Sequence, residues 1–165
     1  MNITFRKAET IDIPLIYALA EETWNEHYIT IVTQDQINYM LNLMYSETAL
    51  EKQMTNGHEF TFVFVENEPA GYISIHQEKE SEYFLNKFYI LKRFRNHKIG
   101  EKLLKYREDK LAGKLKIMRL FVNRENFKSI NFYFKTGFII EKIIDQPIGE
   151  NYYMNDFVMM KKYNQ

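Results

Sequence analysis

Phe88-Tyr89-Ile90-Leu91-Lys92-Arg93-Phe94-Arg95-Asn96-His97-Lys98-Ile99-Gly100-Glu101-Lys102-Leu103-Leu104 holds the pattern that decides the fold. A continuous apolar segment runs into a basic turn, and the turn runs directly into an amphipathic helix. The first N–H groups of such a helix have no intrahelical partner, and its dipole is positive at that end. Arg95 and Lys98 add charge beside it, so the turn reads as an anion site. No proline interrupts Phe88 to Leu91, so that strand keeps all its main-chain donors.

Working outward, the flanking segments alternate or recur at clear periods. Ile3 to Lys7 alternates as a short first strand. Thr10 or Asp12 can cap a helix that carries Pro14 in its first turn and Ile13, Ile16, Tyr17, Ala20 and Trp24 at helical spacing. Thr33 with Gln36 reads as a capping box ahead of Ile37, Met40, Leu41 and Met44. Ser46 can cap a further short helix that stops at Asn56-Gly57. Glu59 to Val65 is a strand with two apolar faces. Asn67-Glu68-Pro69-Ala70-Gly71 reads as a turn into a strand over Tyr72 to His76, which makes a hairpin. Tyr83 to Leu91 is the next strand, and Ile99 to about Ala112 the next helix, closed by Gly113. Ile117 to Val122 is a strand and Ser129 to Lys135 a helix, with Gly137 as its left-handed stop. Phe138 to Ile144 and Tyr153 to Met160 complete the set. This order is mixed α/β with a hairpin meander in the middle, and it disfavours a doubly wound nucleotide fold. No repeat, low-complexity tract or linker divides the chain, so residues 1–165 read as one domain.

Composition removes several function classes. Lysine plus arginine number 22 and aspartate plus glutamate 22, so broad electrostatic binding to nucleic acid is disfavoured. The absence of cysteine excludes disulfides, thiolate metal sites and a cysteine nucleophile. His27, His58, His76 and His97 show no metal-ligand spacing, so no metal is expected. The amino terminus lacks a signal-peptide core and no apolar run is long enough to span a bilayer, so the expected location is cytoplasmic with no membrane partner.

A second phrase gives the first its meaning: Asn123-Arg124-Glu125-Asn126-Phe127-Lys128-Ser129-Ile130-Asn131-Phe132-Tyr133-Phe134-Lys135-Thr136-Gly137-Phe138. In this order the two phrases resemble the acetyl-CoA-binding core of the GCN5-related N-acetyltransferases (the GNAT superfamily). The resemblance covers nearly the whole chain. It implies a GNAT-like acyl-CoA N-acyltransferase fold, with a mixed central sheet whose middle strands splay to admit pantetheine, flanked by helices. It implies acetyl-CoA as acyl donor, held by Phe88, Tyr89 and Ile90 of the strand, by Arg95, Asn96, His97, Lys98, Ile99 and Gly100 of the turn, and by Asn126 and Tyr133. The family's turn has Arg or Gln, two residues, Gly, one residue, then Gly or Ala. Here the first glycine position is Lys98, which can still offer its N–H where its φ is negative.

By resemblance, Asn126 hydrogen-bonds the pantetheine; an asparagine there also suits a helix cap. Tyr133 would protonate the departing thiolate; alternatively it is a core tyrosine in a chain holding 12. A phenol of pKa ~10 protonating a thiolate of pKa ~8.5 works uphill by about 2 kcal/mol. Tyr133 therefore needs either a lowered pKa or a role as hydrogen-bond donor to developing charge.

The reaction implied is direct attack of a primary amine, in a small molecule or peptide, on the thioester. No acyl-enzyme is needed, in keeping with the absent cysteine and Gly-x-Ser-x-Gly elbow. A main-chain N–H of the Phe88 to Ile90 strand would hold the oxyanion. Glu22 and Glu26 lie four apart beside Trp24, His27 and Tyr28, either as an acceptor wall with Glu26 as base or as a solvated helix face. Trp24 to Tyr28 and Gly149 to Met159 are similar to the polyamine-acetylating branch, which adds Asp156 to the acceptor set. A non-catalytic acyl-CoA-binding module on the same fold is the alternative, and monomer and homodimer are both open.

Overall fold

The computed structural model describes residues 1–164. Its strands are β1 (Ile3–Lys7), β2 (Glu59–Val65), β3 (Glu68–Lys79), β4 (Glu82–Ile90), β5 (Ile117–Asn123), β6 (Ile139–Gly149) and β7 (Tyr152–Lys162). Its α-helices are α1 (Ile13–His27), α2 (Gln34–Tyr45), α3 (Glu47–Thr55), α4 (Ile99–Lys110) and α5 (Phe127–Lys135). The strands form a seven-stranded sheet in the order β1-β2-β3-β4-β5-β7-β6. The pairing is antiparallel except between β4 and β5.

Strand alternation sorts the side chains into two cores. Phe60, Phe62 and Tyr72 face α1, α2 and α3, where they meet Ile16, Trp24, Met40 and Leu50. Val63, Ile73, Met118 and Leu120 face the other way and meet Leu103 and Leu104 of α4 and Ile130 of α5. β2 is thus apolar on both faces because both faces are covered. No helix among the described residues is long and apolar enough to cross a membrane.

The sheet comes apart in its middle. β4 pairs with β5 only over Glu82–Leu85 against Ile117–Leu120. Beyond that, β4 stays with β3 through Ile90 while β5 stays with β7 through Asn123. The register across β3 and β4 jumps from Ile75↔Leu85 to Ser74↔Lys87, leaving Asn86 as the extra residue of a bulge. A bulge bends its strand and ends orderly pairing. The splayed middle strands expected from the resemblance are therefore present, and the bulge coincides with the end of the parallel pairing.

Several local expectations need correction. The first hairpin turns at Glu66 and Asn67, with φ of 49° and 67°, so Glu68 to Gly71 are already strand. Two positive φ values suit the twist of a tight hairpin better than the longer turn that Pro69 and Gly71 suggested. β6 runs on through Pro147, which an edge strand tolerates because one side of it needs no ladder donor. Asp12 does not cap α1; its carboxylate takes both terminal nitrogens of Arg6 at 2.9 Å and the Glu9 N–H at 2.8 Å. Thr33 caps α2 by accepting from the Gln36 N–H at 3.2 Å, but the Gln36 side chain reaches out to the Tyr153 carbonyl at 3.4 Å and leaves the box half made. Helix α5 begins at Phe127, two residues before the expected start.

Candidate active site

The diverging strands open a cavity of about 310 Å³. Asn86, Phe88 and Tyr89 of β4 form one wall, and Phe121 and Val122 at the end of β5 form another. The turn before α4, the amino end of α5 and the carboxyl end of α1 close the remaining sides. Past Leu85 the main chain of β4 no longer pairs with β5, so its donors and acceptors on that side are open to a ligand.

The basic turn is a 3₁₀ segment over Lys92–His97 that ends on Lys98. Lys98 has φ 56° and ψ 25°, in the left-handed region, so the negative φ expected for it does not hold. That conformation costs a residue with a Cβ about 1–2 kcal/mol. It explains why glycine suits this position. No side chain caps α4, so the N–H groups of Ile99, Gly100 and Glu101 keep no intrahelical partner. Arg95 Nε donates to the Ile90 carbonyl at 2.8 Å and ties the turn to the end of β4. Gly100 permits close packing: a Cβ there would lie 3.3 Å from Phe132 Cε2 and 3.6 Å from Phe88 Cζ. Arg95, Asn96, Lys98 and Gly100 line the cavity, whereas His97 and Ile99 do not. The Ile99 side chain is fully buried in the core beside α4.

At the start of α5, Asn126 is the helix cap. Its Oδ1 accepts from the Ser129 N–H at 3.2 Å as the helix cap, and the buried residue also lines the cavity. Tyr133 lines the cavity as well, with its ring 5.5 Å from Phe132 and 6.5 Å from Phe88. Burial raises its phenol above the ordinary tyrosine value, with Tyr28 adding to the rise. Burial thus works against a lowered pKa and is compatible with a hydrogen-bond donor to developing charge.

Toward α1, Tyr28 lines the cavity and stacks on Trp24 with ring centroids 4.2 Å apart. Trp24 is buried behind it and does not line the cavity. Glu22 pairs with Arg93 at 2.7 Å and Glu26 with Lys92 at 3.7 Å, and neither lines the cavity. These two carboxylates are held by the basic turn rather than gathered into an acceptor wall. Asp156 stands on β7 opposite Asn123, is 2 % exposed, does not line the cavity, and its Oδ2 has no hydrogen-bond partner. Burial pushes its carboxyl up to about 6 against the opposing pull of Arg124. Its charge is felt by Tyr28.

Phe121 lines the cavity without any motif to mark it, and His27 and Lys128 stand in stretches singled out above without a role of their own there. Only the splay brings the ends of α1, α5 and β5 together. Lys87, beside the bulge, is buried on the helix α3 side, where it donates to Gln53 Oε1 at 2.8 Å and burial lowers it to about 8.

A splayed mixed sheet with an uncapped, cationic helix start at its cleft defines an acyl-CoA N-acyltransferase fold. The model of the acetyltransferase (GNAT) family matches residues 15–138, and the chain belongs to that family. It is an acetyl-CoA-dependent N-acetyltransferase. Among its relatives is a spermidine N(1)-acetyltransferase of Thermoplasma acidophilum, 27% identical over 170 residues and 99% of each chain. The crystal structure of the paiA N-acetyltransferase of Thermoplasma acidophilum in complex with coenzyme A superposes with a TM-score of 0.82 at 28% identity, covering 99% of this chain and 100% of that one. The ribosomal-protein-S18-alanine N-acetyltransferase of Escherichia coli shares the fold, with a TM-score of 0.76 at 16% identity over 99% and 96% of the two chains.

Proposed function

We propose that the chain moves the acetyl group of acetyl-CoA to a primary amine of a small polycation of the polyamine class, by direct attack and without an acyl-enzyme. The observation that carries this is the single cavity reaching from the amino end of α4, through the splay, to Tyr28 at the end of α1. The 27%-identical relative over 99% of each chain, a spermidine N(1)-acetyltransferase, supports the acceptor class. The buried Asp156 carboxylate supports it on electrostatic grounds, since its charge is felt at Tyr28 and draws a cation toward that end of the cavity.

In this reading the diphosphate rests on the free N–H groups of Ile99, Gly100 and Glu101, with Arg95, Lys98 and Lys128 supplying charge. The amides of pantetheine pair with the open edge of β4 between Asn86 and Ile90, as an added strand would, and with Asn126. A main-chain N–H of that edge receives the carbonyl oxygen as it becomes an oxyanion. The hydroxyl of Tyr133 donates to the sulfur as the C–S bond breaks. Asp156, acting from outside the cavity lining, attracts a second positive charge of the acceptor toward Tyr28 and so sets which nitrogen reaches the thioester.

Acetyl transfer to spermidine, spermine, free amino acids and short peptides tests this. The expected result is kcat/KM for polyamines at least about tenfold above the other acceptors. Turnover of peptides or amino acids with no preference for polyamines refutes the acceptor class.

A further inference from the structure

We propose that His27, at the carboxyl end of α1, is the general base that takes the proton from the attacking nitrogen. This rests on the N-acetyltransferase reading above and adds a residue to it. An amine becomes strongly acidic once it has bonded to the carbonyl carbon, so a nearby acceptor for its proton is needed at that moment. Among the residues lining the cavity, His27 is the only imidazole and Glu101 the only carboxylate. Glu101 lies in the first turn of α4, beside the cationic anion site, and is committed to that end of the cavity. Tyr133 is buried and Tyr28 and Tyr89 are half-buried, and desolvation holds all three phenols above their usual values. His27 comes to the cavity from α1, whereas Tyr133 comes from α5, so hydrogen-bond donor and base arrive on separate elements.

Two further observations single out His27. Its ring lines the cavity, and its buried Nε2 has no hydrogen-bond partner, so no protein group occupies that nitrogen. Its ring stands edge-on to Tyr28 at 5.0 Å, next to the proposed acceptor position. The groups facing it are Arg95 from the basic turn, Asn126 and Lys128 from α5, and Glu26 and Tyr28 from its own end of the chain. Burial is the largest influence and lowers its pKa; Arg95 and Lys128 lower it further, while Asn126 and Glu26 oppose. The ring is therefore neutral and ready to accept at pH 7.

The proton balance closes through solvent. The neutral amine attacks the thioester carbon, and the C–N bond forms. Its excess proton passes to the His27 imidazole. The C–S bond breaks with its electron pair on sulfur, and the Tyr133 hydroxyl donates a hydrogen bond to the thiolate as its charge develops. The imidazolium gives up its proton and the thiolate takes one through solvent, so amine plus acetyl-CoA give amide plus free thiol.

The test compares wild type with His27→Gln, using the amine that the wild type acetylates best, from pH 5 to 9. In wild type, log kcat/KM should climb with slope 2 below the His27 pKa, where both amine and imidazole deprotonate, and with slope 1 above it. His27→Gln should lose about 10²-fold in kcat, keep CoA affinity within about threefold by calorimetry, and show slope 1 throughout. His27→Asn serves as a second variant if the first binds CoA poorly. An active wild type matched in kcat by either folded variant overturns the base assignment alone. So does a steep limb that survives in His27→Gln or disappears in Asp156→Asn instead. A wild type inactive on every amine overturns the underlying reading as well.

Discussion

Replacing Lys98 by glycine isolates the one backbone departure at the anion turn. Lys98 holds φ 56° and ψ 25°, a conformation that costs a side-chain-bearing residue about 1–2 kcal/mol. Glycine removes that cost but surrenders about 0.5–1 kcal/mol of extra unfolded-state entropy. The net gain is about 0.5–1 kcal/mol, which for a chain of this size raises Tm by about 1–4 °C. The exposed ammonium is lost at the same time. An exposed ion pair contributes about 1 kcal/mol at most, so CoA binding should weaken by no more than about fivefold. Differential scanning calorimetry of the unliganded protein and titration with CoA read the two effects separately. A Tm that falls would refute the left-handed strain at Lys98. A loss of CoA affinity beyond about a hundredfold would show that the lysine side chain, rather than the helix N–H groups, carries the diphosphate.

Other perturbations report on other parts of the site. Gly71→Ala puts a Cβ 2.2 Å from the Tyr89 carbonyl oxygen and 2.9 Å from Ile90 Cα; backbone cannot yield there, so we expect a loss of about 3 kcal/mol or more and poor recovery of folded protein. Gly100→Ala meets only the Phe132 ring at 3.3 Å, which can shift, so its Tm should stay within a few degrees, about 1 kcal/mol or less. Tyr133→Phe should lower kcat by about 10²-fold with KM for acetyl-CoA little changed. Because burial raises the Tyr133 phenol, its proton stays in place as pH rises, and wild-type activity should show no alkaline decline up to pH 9. Asp156, raised from 3.8 to about 6, contributes stability that is fully present below its unfolded value and lost as pH climbs through 6. Asp156→Asn should therefore stabilise the protein at pH 7 by up to about 3 kcal/mol, flatten stability between pH 4 and 6, and cost polyamine turnover. A denaturation series across that pH range that matches wild type would contradict the burial of this carboxylate.

How much of this was legible in the chain depends on whether a feature is local. Capping by Thr33, Ser46 and Asn126 and the left-handed stop at Gly137 follow from side chains within a few residues of the backbone they serve. The ends of β3, β6 and β7 were not legible, because those strands run on as polar hairpin arms whose residues read like turns. Glu22 and Glu26 look like an acidic wall when only α1 is in view. Arg93 and Lys92, about 70 residues away in sequence, claim them once the turn packs against that helix.

Sequence by itself determined the class: an apolar strand, a basic turn, a helix start and a later tyrosine-bearing helix are short-range patterns with one common chemistry. Only tertiary structure decided what surrounds the reacting atoms. The cavity exists because the bulge at Asn86 and the four-residue limit of β4–β5 pairing pull the sheet apart. The burial that raises Tyr133 and Asp156 and lowers His27 comes from residues brought together across that opening. Desolvation depends on everything packed around a group, and neighbours in sequence are a small part of that.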